Sequence, residues 1–425
     1  MKILVVSHNV FSRTSNMGKT LASYFDNMDN VELAQFYIHS EIPTCTLCKN
    51  YYRITDKDAI KSIVSRKSGT VFGATDIRTD IASSRTDTGN IAKIYRKGRE
   101  RSPLIYFARN LWWNMGKWKT KKLISWVDTF DPDVVFFASG DYAFMYNIAL
   151  EIAKYKKIPL AVSCMDDYYF YNKNSKRFGG KAIHKAFMKQ VKKAMNYSSC
   201  IYPICEKMGR DYGEYFKKPY YTLSTPSTIS EPLNAEKRNS ISYIGNLGYK
   251  RNDQLVAMGK ALKALDVEGK PDFIDVYSGE KDQQVLKDLT EENGIKFHGS
   301  ISADEVLKVM GNSLAIIHAE AFDETTRRIV AYSVSTKIAD SLASGTPLLA
   351  YGPAEVASME YLIDNEAAFC ATSEKELPKI LKSLITDPQK REQITANALK
   401  LAKKNHDSQT NCDMIRKTLE EACQK

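Results

Sequence analysis

The chain has 425 residues, of which 43% are hydrophobic and 26% charged; this composition excludes disordered and collagen-like proteins and suggests two or three globular domains. No apolar run approaches the ~18 residues of a membrane-spanning helix, and the apolar start Met1–Val6 is too short for a signal peptide, so we expect a cytoplasmic protein. Residues 1–224 carry 36 basic and 20 acidic residues (net +16) and the remainder 25 and 30 (net −5), which suggests a polyanionic partner for the first half.

The first half alternates strands and helices with long insertions between them. Its predicted strands are Ile3–Ser7, Val31–Ile38, Asp133–Ser139, Leu160–Cys164, Cys200–Ile204 and Tyr220–Leu223. Asp131-Pro132 stops a helix ahead of the apolar run Val134–Phe137, which is typical of a buried strand. The polar segment 225–239 predicts an interdomain linker.

The second half shows the same alternation more regularly. Its predicted strands are Ser242–Ile244, Phe273–Tyr277, Ile295–Phe297, Leu314–Ile317, Pro347–Ala350 and Ala368–Cys370. Amphipathic helices are predicted at Asp253–Leu265, Gln283–Asn293, Ala303–Met310 and Ser335–Ala343. Strands and helices at this spacing indicate βαβ units and a parallel sheet.

We therefore predict an α/β protein with two Rossmann-like domains that face each other across a cleft. The first domain spans residues 1–224 and the second spans 240–402, with a linker at 225–239. Residues 403–425 are predicted to form a C-terminal helix that packs back on the first domain. Open parallel sheets bind ligands beyond the carboxyl ends of their strands, so candidate site residues are those that follow each strand.

The chain lacks the usual patterns of metal and dinucleotide sites. Cys45 and Cys48 form the single CxxC among eight cysteines, so we expect reduced thiols rather than a zinc site. Asp131-Pro132-Asp133 matches the DxD that holds a metal in some sugar transferases, but it precedes its strand and would point away from a cleft. No GxGxxG follows a strand, which argues against a dinucleotide-dependent dehydrogenase.

The segment Asn16-Met17-Gly18-Lys19-Thr20 ends like a phosphate-binding loop. That loop needs a glycine five residues before Gly18, where this chain has Arg13, so the backbone cradle for phosphates is incomplete. A phosphate-loop kinase, which would bind ATP at Gly18–Thr20, is the less favoured interpretation of this segment. The favoured one is a glycine-containing loop that opens a helix and faces the cleft, which makes Asn16 and Gly18 candidate contacts for a ligand there.

Two segments of the second domain suit a bound diphosphate. Gly245–Arg251 follows the first strand of that domain and opens a helix, and Lys250 and Arg251 can neutralise phosphate. Ser335 or Thr336 can cap the helix that leads to Gly345-Thr346-Pro347. A lysine in the first turn of that helix, Lys337, opposes the helix dipole unless an anion is bound there.

These segments, with Phe297-His298-Gly299-Ser300, resemble glycosyltransferase family 4, whose members have two Rossmann-like domains in the GT-B arrangement. The resemblance covers the second domain well, is most specific from Lys337 to Pro347, and is looser in the first domain. It implies retaining transfer from a nucleotide-sugar donor, UDP- or GDP-linked, with neither a metal nor another cofactor. The second domain of such enzymes holds the nucleotide and the first holds the acceptor, which implies acceptor binding for Asn16 and Gly18.

The resemblance also implies roles for individual residues. The diphosphate would meet Gly245, Asn246, Lys250, Arg251 and Lys337. The base would meet backbone groups from Gly299 to Ile301, and Asp340 would bind the ribose hydroxyls.

The chain departs from the family pattern at one of two acidic positions. Family members carry two glutamates eight residues apart, and here those positions hold Tyr332 and Asp340. Glu320, Asp323 and Glu324 follow the strand Leu314–Ile317 and could supply the missing carboxylate near the donor sugar, with Glu320 and Glu324 as the catalytic candidates. The departure motivates the alternative of a catalytically silent GT-B subunit that binds a partner protein.

Two adjacent aspartates follow a strand of the first domain. Asp166 is a candidate catalytic contact and Asp167 a candidate acceptor contact, because cleft carboxylates can stabilise an oxocarbenium-like transition state. The alternative is that both simply begin a polar loop.

A basic, aromatic segment lies between residues 93 and 126. All four tryptophans (Trp112, Trp113, Trp118 and Trp126) fall there, and Lys93–Lys122 holds ten basic residues against the single acidic Glu100. This composition suits an anionic membrane surface, and no nucleic-acid motif accompanies it. A second basic stretch, Lys181–Lys193, points the same way. The alternative is that the tryptophans belong to the core side of an amphipathic helix.

The resemblance, together with the basic face of the first half, implies a sugar transferase of cell-surface polysaccharide assembly. Its expected partners are a nucleotide-sugar donor and a saccharide or polyprenyl-linked acceptor, with no nucleic acid. We expect it to be cytoplasmic and peripheral on the inner face of the membrane.

Overall fold

The computed structural model describes residues 1–13, 16–64, 69–77, 103–171, 180–234 and 238–424, with only the backbone at positions 16, 64 and 103–106. The chain divides into two compact units. The first comprises Met1–Ser224 together with Ser408–Lys425, and the second comprises Thr225–Asp407. The polar segment that follows Ser224 thus groups with the second unit.

The first unit is built on a seven-stranded sheet in the order β4-β3-β2-β1-β5-β6-β7. Its strands are β1 Lys2–Ser7, β2 Glu32–Tyr37, β3 Asn50–Arg53, β4 Thr70–Phe72, β5 Val134–Ala138, β6 Leu160–Cys164 and β7 Cys200–Pro203. All neighbouring strands are parallel except β3 and β4. The central strands are buried along nearly their whole length, as expected of a parallel sheet covered on both faces.

Helices connect these strands and cover the sheet. Those of the described residues are α1 Asn16–Ser23, α2 Asp56–Val64, α3 Pro103–Met115, α4 Lys121–Phe130, α5 Ala143–Lys156, α6 Gly180–Tyr197 and α7 Glu206–Phe216. The C-terminal helix Ser408–Cys423 returns to this unit, where Ile415 and Leu419 join the core beside β1 and β2. The prediction for the C-terminal helix is confirmed.

The second unit contains a six-stranded parallel sheet in the order β10-β9-β8-β11-β12-β13. Its strands are β8 Ser240–Ile244, β9 Ile274–Tyr277, β10 Ile295–Gly299, β11 Ser313–Ala319, β12 Leu348–Tyr351 and β13 Phe369–Ala371. Its helices are α8 Arg251–Ala264, α9 Gln283–Leu286, α10 Ala303–Asn312, α11 Glu324–Val330, α12 Thr336–Ala343, α13 Ala357–Asp364, α14 Leu377–Thr386 and α15 Pro388–Asn405. Two apolar clusters pack against this sheet.

The strand predictions succeed in the second unit, whereas in the first unit one predicted strand is absent and two strands were missed. All six strands predicted in the second unit are present, with ends that differ by one or two residues. Tyr220–Leu223 is not a strand, since Tyr220 makes one isolated bridge to Ile201. Strands β3 and β4 were not predicted, because both are short and β4 is largely exposed.

The tryptophans of the basic segment lie mainly inside the first unit. Trp113 is fully buried, stacks on Phe144 with ring centroids 4.5 Å apart, and donates its indole N–H to Asp56 at 2.7 Å. Trp118 is only 8% exposed. The core interpretation therefore holds for these two residues, whereas positions 93–102 of the segment lie outside the described residues. Among the described residues no helix is long and apolar enough to cross a membrane.

The burial of Trp113 leads to a stability prediction. Trp113→Ala removes a core aromatic side chain and is expected to lower the free energy of unfolding by about 3–5 kcal/mol. Trp113→Phe keeps a ring against Phe144 but leaves Asp56 without the indole donor, so a smaller loss of about 1–3 kcal/mol is expected. Urea unfolding followed by circular dichroism measures both, and equal stability of the alanine variant and the parent would contradict the packing described here.

Candidate functional site

A cavity of about 450 Å³ lies at the carboxyl end of the second sheet. Its volume falls within the range of ordinary small-molecule sites. It is lined by Tyr243, Ile244, Asn246, Arg251, Val306, Met310, Ile316, Ile317, His318, Ala319, Ser335, Lys337, Ile338, Asp340 and Ser341. Of the predicted site residues, Asn246, Arg251, Lys337 and Asp340 are therefore brought together in this cavity.

Lys337 lies against the glycine loop that follows β8. A Cβ placed on Gly245 would lie 2.2 Å from the Lys337 Nζ, so only glycine lets the ammonium group approach the backbone here. The Lys337 side chain is solvent-exposed, yet the surrounding protein removes part of its hydration. The loss of hydration and, to a lesser extent, the positive charge of Arg251 lower the pKa of Lys337. Within the part of the chain that the structure describes, no carboxylate forms an ion pair with it.

The helix that carries Lys337 begins with a side-chain cap. The Ser335 hydroxyl accepts a hydrogen bond from the Lys337 backbone N–H at 3.4 Å, as predicted for a capping residue. The Lys337 ammonium thus sits in the first turn of α12, where the helix dipole disfavours a cation. A bound anion would offset both the unfavourable interaction of the Lys337 ammonium group with the helix dipole and its repulsion from Arg251.

Arg251 is held by a buried carboxylate. Its NH2 donates to Glu320 Oε1 at 2.9 Å and Oε2 at 3.2 Å, and its Nε donates to the Ala319 carbonyl at 3.1 Å. The Glu320 side chain is only 2% exposed, against 18% for Arg251. Glu320, predicted as a catalytic carboxylate, therefore neutralises Arg251 in this structure and fixes its position.

A histidine, His318, lies beside the ion pair of Arg251 and Glu320. His318 Nε2 lies 3.6 Å from Glu320 Oε1 and 3.0 Å from the Ser358 hydroxyl. Burial lowers the pKa of His318, with opposing contributions from Glu320 and Arg251. The imidazole is therefore uncharged at neutral pH, and Arg251 remains the cationic partner of Glu320.

Lys250 and Glu324 lie on the surface beside this network. Lys250 has a left-handed backbone (φ 56°) before α8, and its Nζ is 3.5 Å from Asp323 Oδ2. Glu324 forms an ion pair with Arg328 one turn along α11, at 2.5 Å, and its side chain is 69% exposed. Neither residue is among those that line the cavity.

Asp340 is anchored by the first residues of the second unit. Its Oδ1 accepts hydrogen bonds from the Ser227 hydroxyl at 2.9 Å, the Thr228 backbone N–H at 2.7 Å and the Thr228 hydroxyl at 3.0 Å. This leaves Oδ2 as the oxygen that no described hydrogen bond engages. Asp340 lines the cavity with its position fixed by three donors.

The loops predicted to meet the base and the diphosphate have ordered backbones. Gly299 ends β10 with φ 78°, and Ile301 precedes Ser302, which caps α10. Asn246 organises its own loop, since its Oδ1 accepts from the Gly248 N–H and its carbonyl accepts from the Tyr243 hydroxyl.

In the first unit, Asp167 is used to build a loop. Its Oδ1 accepts from the Tyr169 and Phe170 N–H groups and from the Tyr212 hydroxyl, and its Oδ2 accepts from the Tyr171 N–H. Its neighbour Asp166 is less buried and accepts from the Asp167 N–H at 3.0 Å. Of the two, Asp166 is the more accessible carboxylate at the end of β6.

Gly18 is required for close packing of the loop that follows β1. A Cβ at Gly18 would lie 2.3 Å from the Val10 carbonyl oxygen, and the Ser12 N–H donates to the Gly18 carbonyl. Asn16 begins α1, and its side chain lies outside the described residues.

Two histidines at the carboxyl edge of the first sheet were not singled out from the sequence. His8 follows β1 and His39 follows β2, with ring centroids 5.8 Å apart; His8 also stacks on Tyr142. Burial, with Arg109 and His39 as lesser causes, holds the pKa of His8 well below its usual range. Its buried Nδ1 has no hydrogen-bond partner among the described residues. The signal in the sequence that could have identified them is that each histidine follows a predicted strand.

The DxD sequence lies at the opposite end of the first sheet. Asp131 ends α4 and pairs with Lys156 at 2.7 Å, while Asp133 Oδ2 accepts from the Lys2 N–H at 2.7 Å, before β5 and β1 begin. Across the described residues, no group of three or more His, Cys, Asp or Glu side chains could hold a metal ion.

Comparison with known proteins bears on the second unit first. A family model described as "Glycosyl transferase-like" matches residues 260–417. No curated protein sequence is significantly similar to the chain.

Solved structures resemble the whole chain. HepE from Anabaena in complex with UDP has a TM-score of 0.60 at 13% identity, covering 99% of this chain and 100% of that one. Sucrose-phosphate synthase from Thermosynechococcus elongatus has a TM-score of 0.59 at 10% identity, covering 99% of each chain. A trehalose-phosphate synthase (UDP-forming) from Burkholderia xenovorans has 0.57 at 9%, covering 99% and 100%. The prediction of two Rossmann-like domains of the GT-B class is confirmed.

Proposed function

We propose that the protein transfers a sugar from a nucleoside-diphosphate sugar, and that the cavity of the second unit holds the donor. The observation that carries this proposal is the position of Lys337. Its ammonium group lies over Gly245 at the start of a helix, beside a second cation, with no ion-pair partner among the described residues. A diphosphate supplies the missing negative charge.

The residues proposed to bind the donor have separate roles. Lys337, Arg251 and the Gly245–Lys250 loop bind the diphosphate and stabilise it as it departs. Backbone groups from Gly299 to Ile301 meet the base, and Asp340 accepts from the ribose through Oδ2. We propose uridine rather than guanosine as the base, since HepE, similar over its full length, has been crystallised with UDP and with UDP-glucose.

Glu320 takes a different role from the one its place in the sequence suggested. Its bidentate contact with Arg251 supports a positioning residue that orients the guanidinium toward the diphosphate. Asp166 is then the leading candidate for a carboxylate near the reacting centre, and His8 and His39 are candidates for hydrogen bonds to acceptor hydroxyls. Glu324, exposed and paired with Arg328, is the weakest of the three catalytic candidates.

The finer features of the proposal depend on the resemblance to glycosyltransferase family 4. We propose retention of the anomeric configuration, a saccharide or polyprenyl-linked acceptor bound by the first unit, and a role in cell-surface polysaccharide assembly. The net positive charge of residues 1–224 supports association with an anionic membrane surface.

The experiment is a turnover assay of the full chain with a panel of UDP- and GDP-sugars, with and without EDTA. We expect slow release of UDP from one UDP-sugar in the absence of acceptor, and a rate unchanged by EDTA because cations from the chain neutralise the diphosphate. Loss of activity on chelation that manganese restores would contradict the assigned role of Lys337 and Arg251.

A second candidate is a catalytically silent subunit that binds a nucleotide and a partner protein. The pairing of Glu320 with Arg251, together with Tyr332 at the family's first glutamate position, favours it. Tight UDP binding without turnover of any donor, even with acceptors added, would select this candidate.

A further inference from the structure

Helix α3 of the first unit has apolar residues on its outer side. Phe107, Leu111 and Met115 follow each other at four-residue intervals and are 52%, 47% and 57% exposed. The same helix buries Arg109 and Trp113 on its inner side. An ordinary surface helix turns polar residues outward, so the outer row of α3 requires another explanation. We call these three residues the apolar face.

A groove continues this face toward the neighbouring helix. It has a volume of about 320 Å³ and lies between α3 and α6, with Phe107 and Leu111 on one side. Ala182, Ile183, Ala186 and Phe187 of α6 form the other side. The polar Asn110, Asn114 and Gln190 also line this groove, so its lining is mainly but not wholly apolar.

Lysines border this surface on both sides. Lys181, Lys185 and Lys189 are exposed on α6, in a row next to the residues that line the groove. Lys117, Lys119, Lys121 and Lys122 are exposed directly after α3. No Asp or Glu occurs in 180–197 or 101–127. The surface thus combines an apolar centre with a basic margin, in which Lys119 forms an ion pair with Glu151 at 3.5 Å.

We propose that the apolar face is a docking surface for an anionic lipid bilayer, into which Phe107, Leu111 and Met115 insert. An apolar row with lysines beside it is the pattern of helices that lie in the lipid–water interface, where apolar side chains reach the acyl boundary and cations meet anionic headgroups. The inserting residues differ from those suggested by the sequence, because Trp113 and Trp118 are in the core. Nucleic acid would use the lysines but would gain little from Leu111 and Met115.

The test is co-sedimentation of the full chain with vesicles of phosphatidylcholine alone and with one quarter phosphatidylglycerol, in the absence of nucleotide. Binding is expected for the anionic vesicles at low salt and is expected to weaken as salt rises. Phe107→Ser/Leu111→Ser/Met115→Ser should reduce it at least tenfold. Lys181→Gln/Lys185→Gln/Lys189→Gln should reduce it on the order of 100-fold at low salt.

A matched control replaces three equally exposed apolar residues elsewhere. Met17→Ser/Ile60→Ser/Leu307→Ser starts from exposures of 43%, 45% and 40% and should bind vesicles like the parent. Urea unfolding of each variant confirms that it is folded. Equal vesicle binding by the apolar-face variant and the parent overturns the proposal. So does a loss of self-association in sedimentation velocity with unchanged vesicle binding, which would make the face an interface between copies of the chain. Because the assay contains no nucleotide, the docking surface and the donor site can fail independently.

Discussion

Arg251→Met is expected to lower the free energy of unfolding by about 3–5 kcal/mol. The variant leaves the Glu320 carboxylate, which is 2% exposed, without its cationic partner. A buried charge whose partner is removed costs far more than the intact pair contributes. His318, the other basic side chain beside Glu320, is buried, and burial lowers its pKa. Urea unfolding at neutral pH measures the loss.

The double variant Arg251→Met/Glu320→Gln is the control for this prediction. It removes both charges, so most of the lost stability should return. If Arg251 also binds the diphosphate, the stable double variant should still bind UDP about 5–150-fold more weakly, the range of one charge-assisted hydrogen bond. A single variant as stable as the parent would show that Glu320 does not depend on Arg251.

Lys337→Met is expected to weaken UDP binding about 5–150-fold, or about 1–3 kcal/mol, without loss of stability. The ammonium group has no ion pair in the described residues and lies in the first turn of a helix, so folding gains nothing from its charge. A group that lowers stability while it binds ligand is typical of a functional site. Calorimetry with UDP and urea unfolding of the same samples provide the two measurements.

The pH dependence of stability has a definite sign. The pKa of Lys337 is lowered in the folded state, so the unfolded chain binds more protons between that pKa and the usual value near 10.4. The stability of the parent relative to Lys337→Met should therefore rise with pH across this window. Lys308→Met, at an exposed lysine outside the cavity lining, should change neither UDP affinity nor this pH dependence. Reduced stability of Lys337→Met at neutral pH would refute the view of Lys337 as an unpaired cation.

The part of the fold that was predictable from the sequence is the part with long apolar runs. Strands such as Val134–Ala138 and Leu160–Cys164 are buried on both faces and carry an unbroken apolar signal. The strands Asn50–Arg53 and Thr70–Phe72, at one side of the sheet, have only a few residues and pair with each other across an intervening helix, so no local pattern identifies them. Trp113 and Trp118 were ambiguous because a basic, aromatic helix looks alike whether its rings face the core or a membrane.

The candidate site was predictable where residues are close in sequence. The spacing of Ser335, Lys337 and Asp340 along one helix brought them to the same cavity, as expected. The pairing of Arg251 with Glu320 joins residues 69 positions apart, and it depends on β8 and β11 being neighbours in the sheet. The anchoring of Asp340 by Ser227 and Thr228 likewise depends on a contact over more than a hundred positions. Such contacts depend on how distant segments are arranged in the fold, and local sequence patterns do not predict that arrangement.

The most direct test of the central claim compares UDP with uridine by calorimetry on the parent and on Lys337→Met. If the cavity binds a diphosphate through Lys337, the parent should bind UDP much more tightly than uridine, and the variant should lose most of that difference while its affinity for uridine stays the same. GDP and guanosine serve as the second pair in case the base is a purine. A parent that binds no nucleoside diphosphate, or a variant that keeps the full preference for UDP over uridine, would contradict the account.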